Sequence, residues 1–344
     1  MINRILIVGY GSIGKRHLRV ARELMPLADI RILRHQTTDE NPEYANGCFS
    51  SIEDVIRFNP QVAVIANPAS FHIETALALV VLGTHLLIEK PLSASLIGVK
   101  ELIAICKERQ VYLFTGYNLR FLPSLQRFKL LVDEGVVGRV LSVRCEMGQY
   151  LPSWRPDRDY RQTVSAKHEL GGGVLLELSH ELDYLRWIFG EICWISAMIS
   201  RQSGLEINVE DTAHLTVGFN PSSDGRQLIG AIDLDFIRHD TTRICTAIGE
   251  KGSLRWNGLT GEVLLYKAGA SNWDKLFQYS SNRDESYIAE WQNFIDCVVG
   301  DKSPFISGED GLEVLKIIEG AKRSSELGGV IFELSDLRAY EVGS

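Results

Sequence analysis

The tightest constraint on the fold is a short glycine string. Gly9-Tyr10-Gly11-Ser12-Ile13-Gly14 fits G-x-G-x-x-G and follows directly on the apolar run Ile5-Leu6-Ile7-Val8. Glycines at these places permit a tight turn from strand to helix. They also let bare backbone, with the free N–H groups and positive end of the helix, approach a pyrophosphate. As an isolated string the pattern also occurs in plain turns and in methyltransferases, so its context decides. Further β-branched or apolar runs follow at 29–33, 62–66, 85–88 and 111–114, with helical patterns near 13–25, 52–58, 71–82 and 94–109 between them. Strict alternation of strand and helix implies right-handed βαβ units, and therefore a doubly wound parallel sheet that binds a dinucleotide.

After about residue 120 the rhythm changes. Segments 139–149, 192–200, 212–219, 227–237 and 242–249 read as long strands with few helices between them, and 220–225 is a loop joining two of them. The second part is therefore expected to be α+β with a large, mostly antiparallel sheet. A helical tail, 286–299 and 309–326, follows. A length of 344 residues suits two such domains, 1–120 and 121–344. The net charge of −8 argues against a broad surface for nucleic acid or anionic lipid. Six scattered cysteines, with no C-x-x-C pair and no Cys/His cluster at zinc spacing, predict no metal site and a reducing cytoplasm. No run approaches the ~20 apolar residues of a membrane span, and no signal-peptide pattern is seen.

An NAD site usually carries Asp or Glu about 20 residues past the glycines, accepting the ribose 2′-hydroxyl. Here that place holds Arg34, followed by His35. Arginine suits a 2′-phosphate, so NADP(H) is favoured; Asp39 and Glu40, slightly later, keep NAD open.

In an open α/β sheet the ligand crevice lies at the carboxyl ends of the strands. Asn67-Pro68 (with His72 in the next helix), Glu89-Lys90-Pro91 and Gly116-Tyr117-Asn118 all fall there, so they join the cofactor and substrate candidates. Lys90 is the chemically capable member, and the following Pro91 restrains its backbone and permits a cis peptide. A second constellation is Gly171-Gly172-Gly173, a bare backbone that a ligand could approach, followed by one expected helix over 174–189. Leu175, Leu178, Leu182, Leu185 and Phe189 form its apolar stripe, and Glu177, His180 and Tyr184 share the opposite face. Between the strand expected to end near Tyr150 and the triple glycine lies Trp154-Arg155-Pro156-Asp157-Arg158-Asp159-Tyr160-Arg161. Its aromatics could pack on a sugar while Arg155, Arg158 and Arg161 hold a carboxylate or phosphate, or the arginines could merely order the loop through the aspartates.

Taken together these residues resemble the glucose–fructose oxidoreductase / inositol dehydrogenase / MocA family of NAD(P)-dependent oxidoreductases, over nearly the whole chain. The resemblance rests on the glycine loop, Glu89-Lys90-Pro91, Gly116-Tyr117-Asn118 with Arg120, Phe121 and Pro123, the triple glycine with His180 and Asp183, Tyr287 with Phe294-Ile295, and the 307–312 segment. It implies an N-terminal Rossmann domain and a C-terminal domain whose open sheet forms the interface of a homodimer or homotetramer. It also implies tail helices that pack back toward the first domain, and hydride transfer at a sugar or cyclitol carbinol. Lys90 would be the catalytic lysine, Pro91 its commonly cis proline, and His180 the group that exchanges the hydroxyl proton. Asp183 matches the family pattern and joins the catalytic candidates, as Arg120 joins those for the substrate. Family members place Asp four residues before the histidine, whereas Glu177 lies three before it; either the helix starts differently, or Glu177 does not take the acidic role. A sugar- or dinucleotide-sensing regulator and an NAD-using glycosidase share the same resemblance.

Overall fold

The computed structural model describes residues 2–34, 42–280, 282, 284–300 and 302–337. The chain begins β1 (Arg4–Val8), α1 (Ser12–Leu24), β2 (Asp29–Leu33), β3 (Gly47–Phe49), α2 (Ile52–Phe58), β4 (Val62–Ile65), α3 (His72–Val80), β5 (His85–Glu89), α4 (Val99–Glu108) and β6 (Leu113–Gly116). It continues α5 (Pro123–Asp133), β7 (Val140–Gly148), α6 (Val174–Glu177), α7 (His180–Phe189), β8 (Ile192–Ser200), β9 (Thr212–Phe219), β10 (Ile229–Asp235) and β11 (Thr242–Gly249). Last come β12 (Gly252–Asn257), β13 (Glu262–Lys267), β14 (Asp274–Gln278), α8 (Glu285–Gly300), α9 (Gly308–Glu326) and β15 (Phe332–Glu333). Two compact units divide it: Met1–Asn118 with Arg283–Leu315, and Leu119–Asn282 with Lys316–Ser344.

In the first unit a six-stranded parallel sheet runs β3-β2-β1-β4-β5-β6. Its central strands are covered on both faces, which is why they read as unbroken apolar runs. Strand order reverses between β1 and β4, and at such a switch point the carboxyl ends leave a crevice. Helix α1 turns Leu18 and Ala21 into the core, where α8 presents Trp291, Phe294 and Cys297. Phe294 meets Phe114 of β6 edge-on at 5.0 Å, and burying a ring of this size contributes about 1.5–3 kcal/mol. Strand β3 escaped the sequence reading because three residues are too few to show a period.

In the second unit a nine-stranded sheet runs β14-β13-β12-β11-β7-β10-β9-β8-β15. Among the described residues of this sheet only β7 and β10 pair in parallel. Strands β12 to β15 and helix α5 were not anticipated; α5 starts with Pro123, whose fixed φ and missing N–H suit a first helical position. One sequence expectation fails outright. The helix foreseen over 174–189 is two helices, interrupted at Leu178 and Ser179, and Tyr184 is not on a solvated face. Tyr184 is fully buried, with its hydroxyl 3.0 Å from Cys145 Sγ and its ring edge-on to Trp256. Glu181, Asp183 and Arg186 are buried as well, so α7 is covered on all sides and its polar residues survive only because each has a partner. Among the described residues no helix is long and apolar enough to cross a membrane.

Candidate active site

In the first unit, the three glycines of the loop do different work. Gly9 has φ +88°, and a Cβ there would sit 2.8 Å from the Ala66 carbonyl at the end of β4. A Cβ on Gly14 would sit 2.2 Å from the Gly9 carbonyl, so both positions are bare for the chain's own packing. At Gly11 an added Cβ would meet nothing within 4 Å. Gly11 is also the N-cap of α1 and gives it no side-chain cap, which leaves the first-turn N–H groups of Ser12, Ile13 and Gly14 for an anion from outside. The loop therefore fits a dinucleotide pyrophosphate. At the end of β2, the Arg34 guanidinium lies 5.7 Å over the Tyr10 ring and Lys15 Nζ 4.9 Å over the same ring, a concentration of positive charge. His35, Asp39 and Glu40 lie outside the described residues.

The loops after β4 and β5 are tied together. His72 is buried, with Nδ1 3.0 Å from the Pro91 carbonyl and Nε2 2.8 Å from the Asn67 carbonyl. Burial pulls its pKa down against the opposing pull of those carbonyls. With both nitrogens engaged, His72 is a strut between the loops, and this replaces its sequence assignment to the cofactor. Asn67 donates from Nδ2 to Thr75, while its buried Oδ1 meets no partner among the described residues. The Lys90–Pro91 peptide is cis and Lys90 is half-buried. Glu89 is buried, accepting from His17 and from the Lys90 N–H. Asn118 Nδ2 donates to Ser286 Oγ at 2.8 Å, fastening the segment after β6 to α8. Tyr117 is 0 % exposed, so packing takes the place of the substrate contact expected for it.

In the second unit, the triple glycine serves the chain itself, contrary to the expectation of a surface bared for ligand. A Cβ on Gly172 would lie 2.3 Å from the Val164 carbonyl, and one on Gly173, at φ +107°, 2.4 Å from the Glu210 carboxylate. Glu210 in turn accepts the first N–H groups of α6, through its backbone oxygen from Val174 and through Oε1 from Leu175. Burial foremost raises the pKa of that carboxyl.

Glu177 accepts from Ser165 Oγ at 2.9 Å, and His180 is the first residue of α7, half-buried. One turn on, Asp183 takes a bidentate pair from Arg120, Nε to Oδ2 at 2.9 Å and Nη2 to Oδ1 at 2.6 Å. The two side chains are 5 % and 1 % exposed, which commits both to each other: they orient α7, where the sequence offered them as a catalytic acid and a substrate ligand. Glu181 accepts from Arg243 at 2.8 Å on another flank of the helix.

The arginine-rich loop divides. Arg161 is bound to Asp159 and to Glu206, which is the loop-ordering alternative. Trp154 donates to the Gln149 carbonyl and sets its ring edge against Phe236. Arg155 and Arg158 are exposed, and Arg155 borders a small crevice with Leu151, Trp154, Tyr160, Thr163 and Ser165, the serine that also holds Glu177. Sequence reasoning missed His17, Trp291 and Glu290. The only available signal was a histidine placed on the apolar stripe of α1.

Comparison with known proteins points the same way. The sequence model of an oxidoreductase family, NAD-binding Rossmann fold, matches residues 3–117, and that of the same family's C-terminal alpha/beta domain matches 129–331. A myo-inositol 2-dehydrogenase of Thermotoga maritima is 27 % identical over 338 residues, covering 94 % of this chain and 96 % of the relative. A D-xylose 1-dehydrogenase [NADP(+)] of Haloarcula marismortui is 24 % identical over 313 residues, covering 87 % and 79 %. The fold is that of the WlbA dehydrogenase from Bordetella pertussis, solved with NADH and UDP-GlcNAcA: TM-score 0.77, 24 % identity, 97 % of this chain and 99 % of that one.

Proposed function

This chain belongs to the glucose–fructose oxidoreductase / inositol dehydrogenase / MocA family of oxidoreductases, and from that premise we propose that it moves a hydride between a nicotinamide dinucleotide and the carbinol carbon of a sugar, a cyclitol or an anionic sugar derivative. The observation that carries this reading is the loop in which Gly11 stands bare beside an uncapped helix start, after β1 of the same sheet whose β5 ends at Glu89, the residue before Lys90. The dinucleotide, when bound, supplies or accepts the hydride. Lys90 donates a hydrogen bond to the substrate oxygen and stabilises the negative charge that grows there as hydride leaves carbon. His180 takes the hydroxyl proton in oxidation and returns it in reduction. Arg120 and Asp183 orient the helix that begins at His180. Glu177, tied to Ser165 beside the arginine-bordered crevice, stays a candidate for the acidic role.

Two refinements follow from the charges. Arg34, with Lys15, favours the 2′-phosphate of NADP(H). Arg34→Ala is expected to raise KM for NADP⁺ by about tenfold, a charged hydrogen bond of roughly 1.5–3 kcal/mol, and to leave KM for NAD⁺ within about twofold. Equal effects on both dinucleotides in initial-rate measurements would remove Arg34 from that role. Arg155 and Arg158 favour a carboxylate or phosphate on the sugar. The relative and the solved fold named above support that range, since one is named for a cyclitol and the other was solved with a nucleotide sugar acid. The outward face of the second sheet, with Ile229, Thr216 and Met198 exposed, is assigned to self-association.

The deciding experiment is a panel of cyclitols, neutral sugars, sugar acids and nucleotide sugars against NAD⁺ and NADP⁺, with reduced nicotinamide followed by absorbance. Net reduction with at least one class is expected. Dinucleotide that binds without net conversion would favour the regulator, and one that cycles while a glycosidic bond is cleaved would favour the glycosidase.

A further inference from the structure

Behind Lys90, three buried side chains form a hydrogen-bond chain with a fixed direction. Glu89 places its carboxylate between two donors, His17 Nε2 at 2.7 Å on one oxygen and the Lys90 backbone N–H at 3.1 Å on the other. Gly116 on β6 leaves the room: a Cβ there would stand 3.2 Å from that second oxygen. His17 is 0 % exposed, and its Nδ1 lies 2.9 Å from the indole Nε1 of Trp291 on α8. An indole N–H can only donate. Nδ1 therefore accepts, the single ring proton sits on Nε2, and Nε2 donates to Glu89. Trp291, the one member unable to reverse its bond, sets the direction for the rest.

The other titratable and charged groups packed here are Arg16 from α1, Tyr287 and Glu290 from α8, and Lys90 itself. Tyr287 sits edge-on to the His17 ring at 5.5 Å, with the Arg16 guanidinium 4.8 Å over its own ring. Glu290 is 1 % exposed, and neither of its oxygens has a hydrogen-bond partner among the described residues. Burial first and the charge of Glu89 second push the Glu290 carboxyl well above the ordinary range, and the same two causes raise the Tyr287 hydroxyl. Burial opposes the charge on Glu89 too, but the pull of His17 first and of Lys90 second outweighs it and holds that carboxyl below the usual range. Glu89 is left as the anion of the cluster.

We propose that Trp291, His17 and Glu89 are positioning residues for Lys90: the indole locks His17 as its neutral Nε2–H tautomer, and that tautomer holds the Glu89 carboxylate against the lysine main chain. This rests on the reading of Lys90 as catalytic. With the indole N–H gone, nothing keeps the ring proton on Nε2. In the Nδ1–H tautomer Nε2 has no proton to give Glu89, and the carboxylate is loosened.

The test is Trp291→Phe in the full chain, with His17→Gln to assign the signal and Lys90→Ala in the same panel. Imidazole nitrogen NMR of histidine-labelled protein is expected to show wild-type His17 protonated on Nε2 alone. In Trp291→Phe the ring proton is shared between Nε2 and Nδ1. There kcat falls about tenfold while dinucleotide Kd stays within about twofold, as for a charged hydrogen bond lost at one remove. A doubly protonated or Nδ1–H His17 in the wild type, an unchanged kcat in the variant, or an equal loss of dinucleotide binding would overturn the proposal. If Trp291→Phe does not fold, the wild-type spectrum decides together with Glu89→Gln. That variant keeps the shape, presents an amide to one donor, and is expected to lose about tenfold in kcat at all pH with Kd retained; unaltered kcat overturns. Wild-type turnover in Lys90→Ala would end the catalytic reading alone, because the tautomer is read without turnover.

Discussion

Lys90→Ala is expected to lower kcat by about 10²–10³, as removal of one preorganised donor to a developing oxyanion does, while dinucleotide Kd and Tm stay close to wild type. The ammonium gains most from the substrate oxygen when that oxygen carries charge, so its loss shows in kcat and kcat/KM together. His180→Ala is expected to cost 10²–10⁴ and to change the pH dependence of kcat as well, since a proton acceptor has left. The measurement is steady-state kinetics on the best substrate of the panel, with dinucleotide affinity by fluorescence titration. A Lys90 variant with wild-type kcat would remove the lysine from the chemistry. A Lys90 variant that had lost dinucleotide affinity would move its role to the cofactor.

The second large effect concerns stability. Asp183→Ala leaves the Arg120 guanidinium buried without its carboxylate, and breaking a buried pair in this way costs about 3–5 kcal/mol. For a unit of this size that corresponds to a fall in Tm on the order of 10 °C. Replacing both partners, Arg120→Met with Asp183→Leu, is expected to recover most of the loss, because no charge is left without a counter-ion. Thermal melts of the two single variants and the double variant test this cycle. Single variants within about 1 kcal/mol of wild type would mean that the guanidinium reaches water at little cost, and that α7 is held by its apolar contacts alone.

Much of the first unit was legible because its signals are local. Strands β1, β4 and β5 hold continuous apolar runs and β2 alternates, the unit's helices carry periodic stripes, and the glycine string marks the turn between the first strand and the first helix. Strand and helix in alternation leave few topologies open. The second unit was less legible. Strands β12 to β15 are shorter than the strands foreseen in this unit, and the break after Glu177 leaves no mark in the leucine spacing of 175, 178, 182 and 185. The reading of Tyr184 failed because the same spacing fits a helix with one wet face and a helix covered all round. Only the partners, Cys145, Trp256, Arg120 and Arg243, distinguish the two.

The residues of the candidate site divide along the same line. The sequence by itself determined which chemistry-bearing groups exist and at which strand or helix end each stands: the glycine loop after β1, Lys90 after β5, His180 at the start of α7. The tertiary structure decided what the surrounding polar groups do. It gave Asp183 to Arg120, turned Gly172 and Gly173 against the chain's own carbonyl and carboxylate, and made His72 a strut. It also joined His17 to Trp291, a partner 274 residues away. A main-chain turn is dictated by its neighbours in sequence. The protonation and use of a buried polar side chain are dictated by whichever donor or acceptor the fold places within about 3 Å, and spacing along the chain carries no record of that.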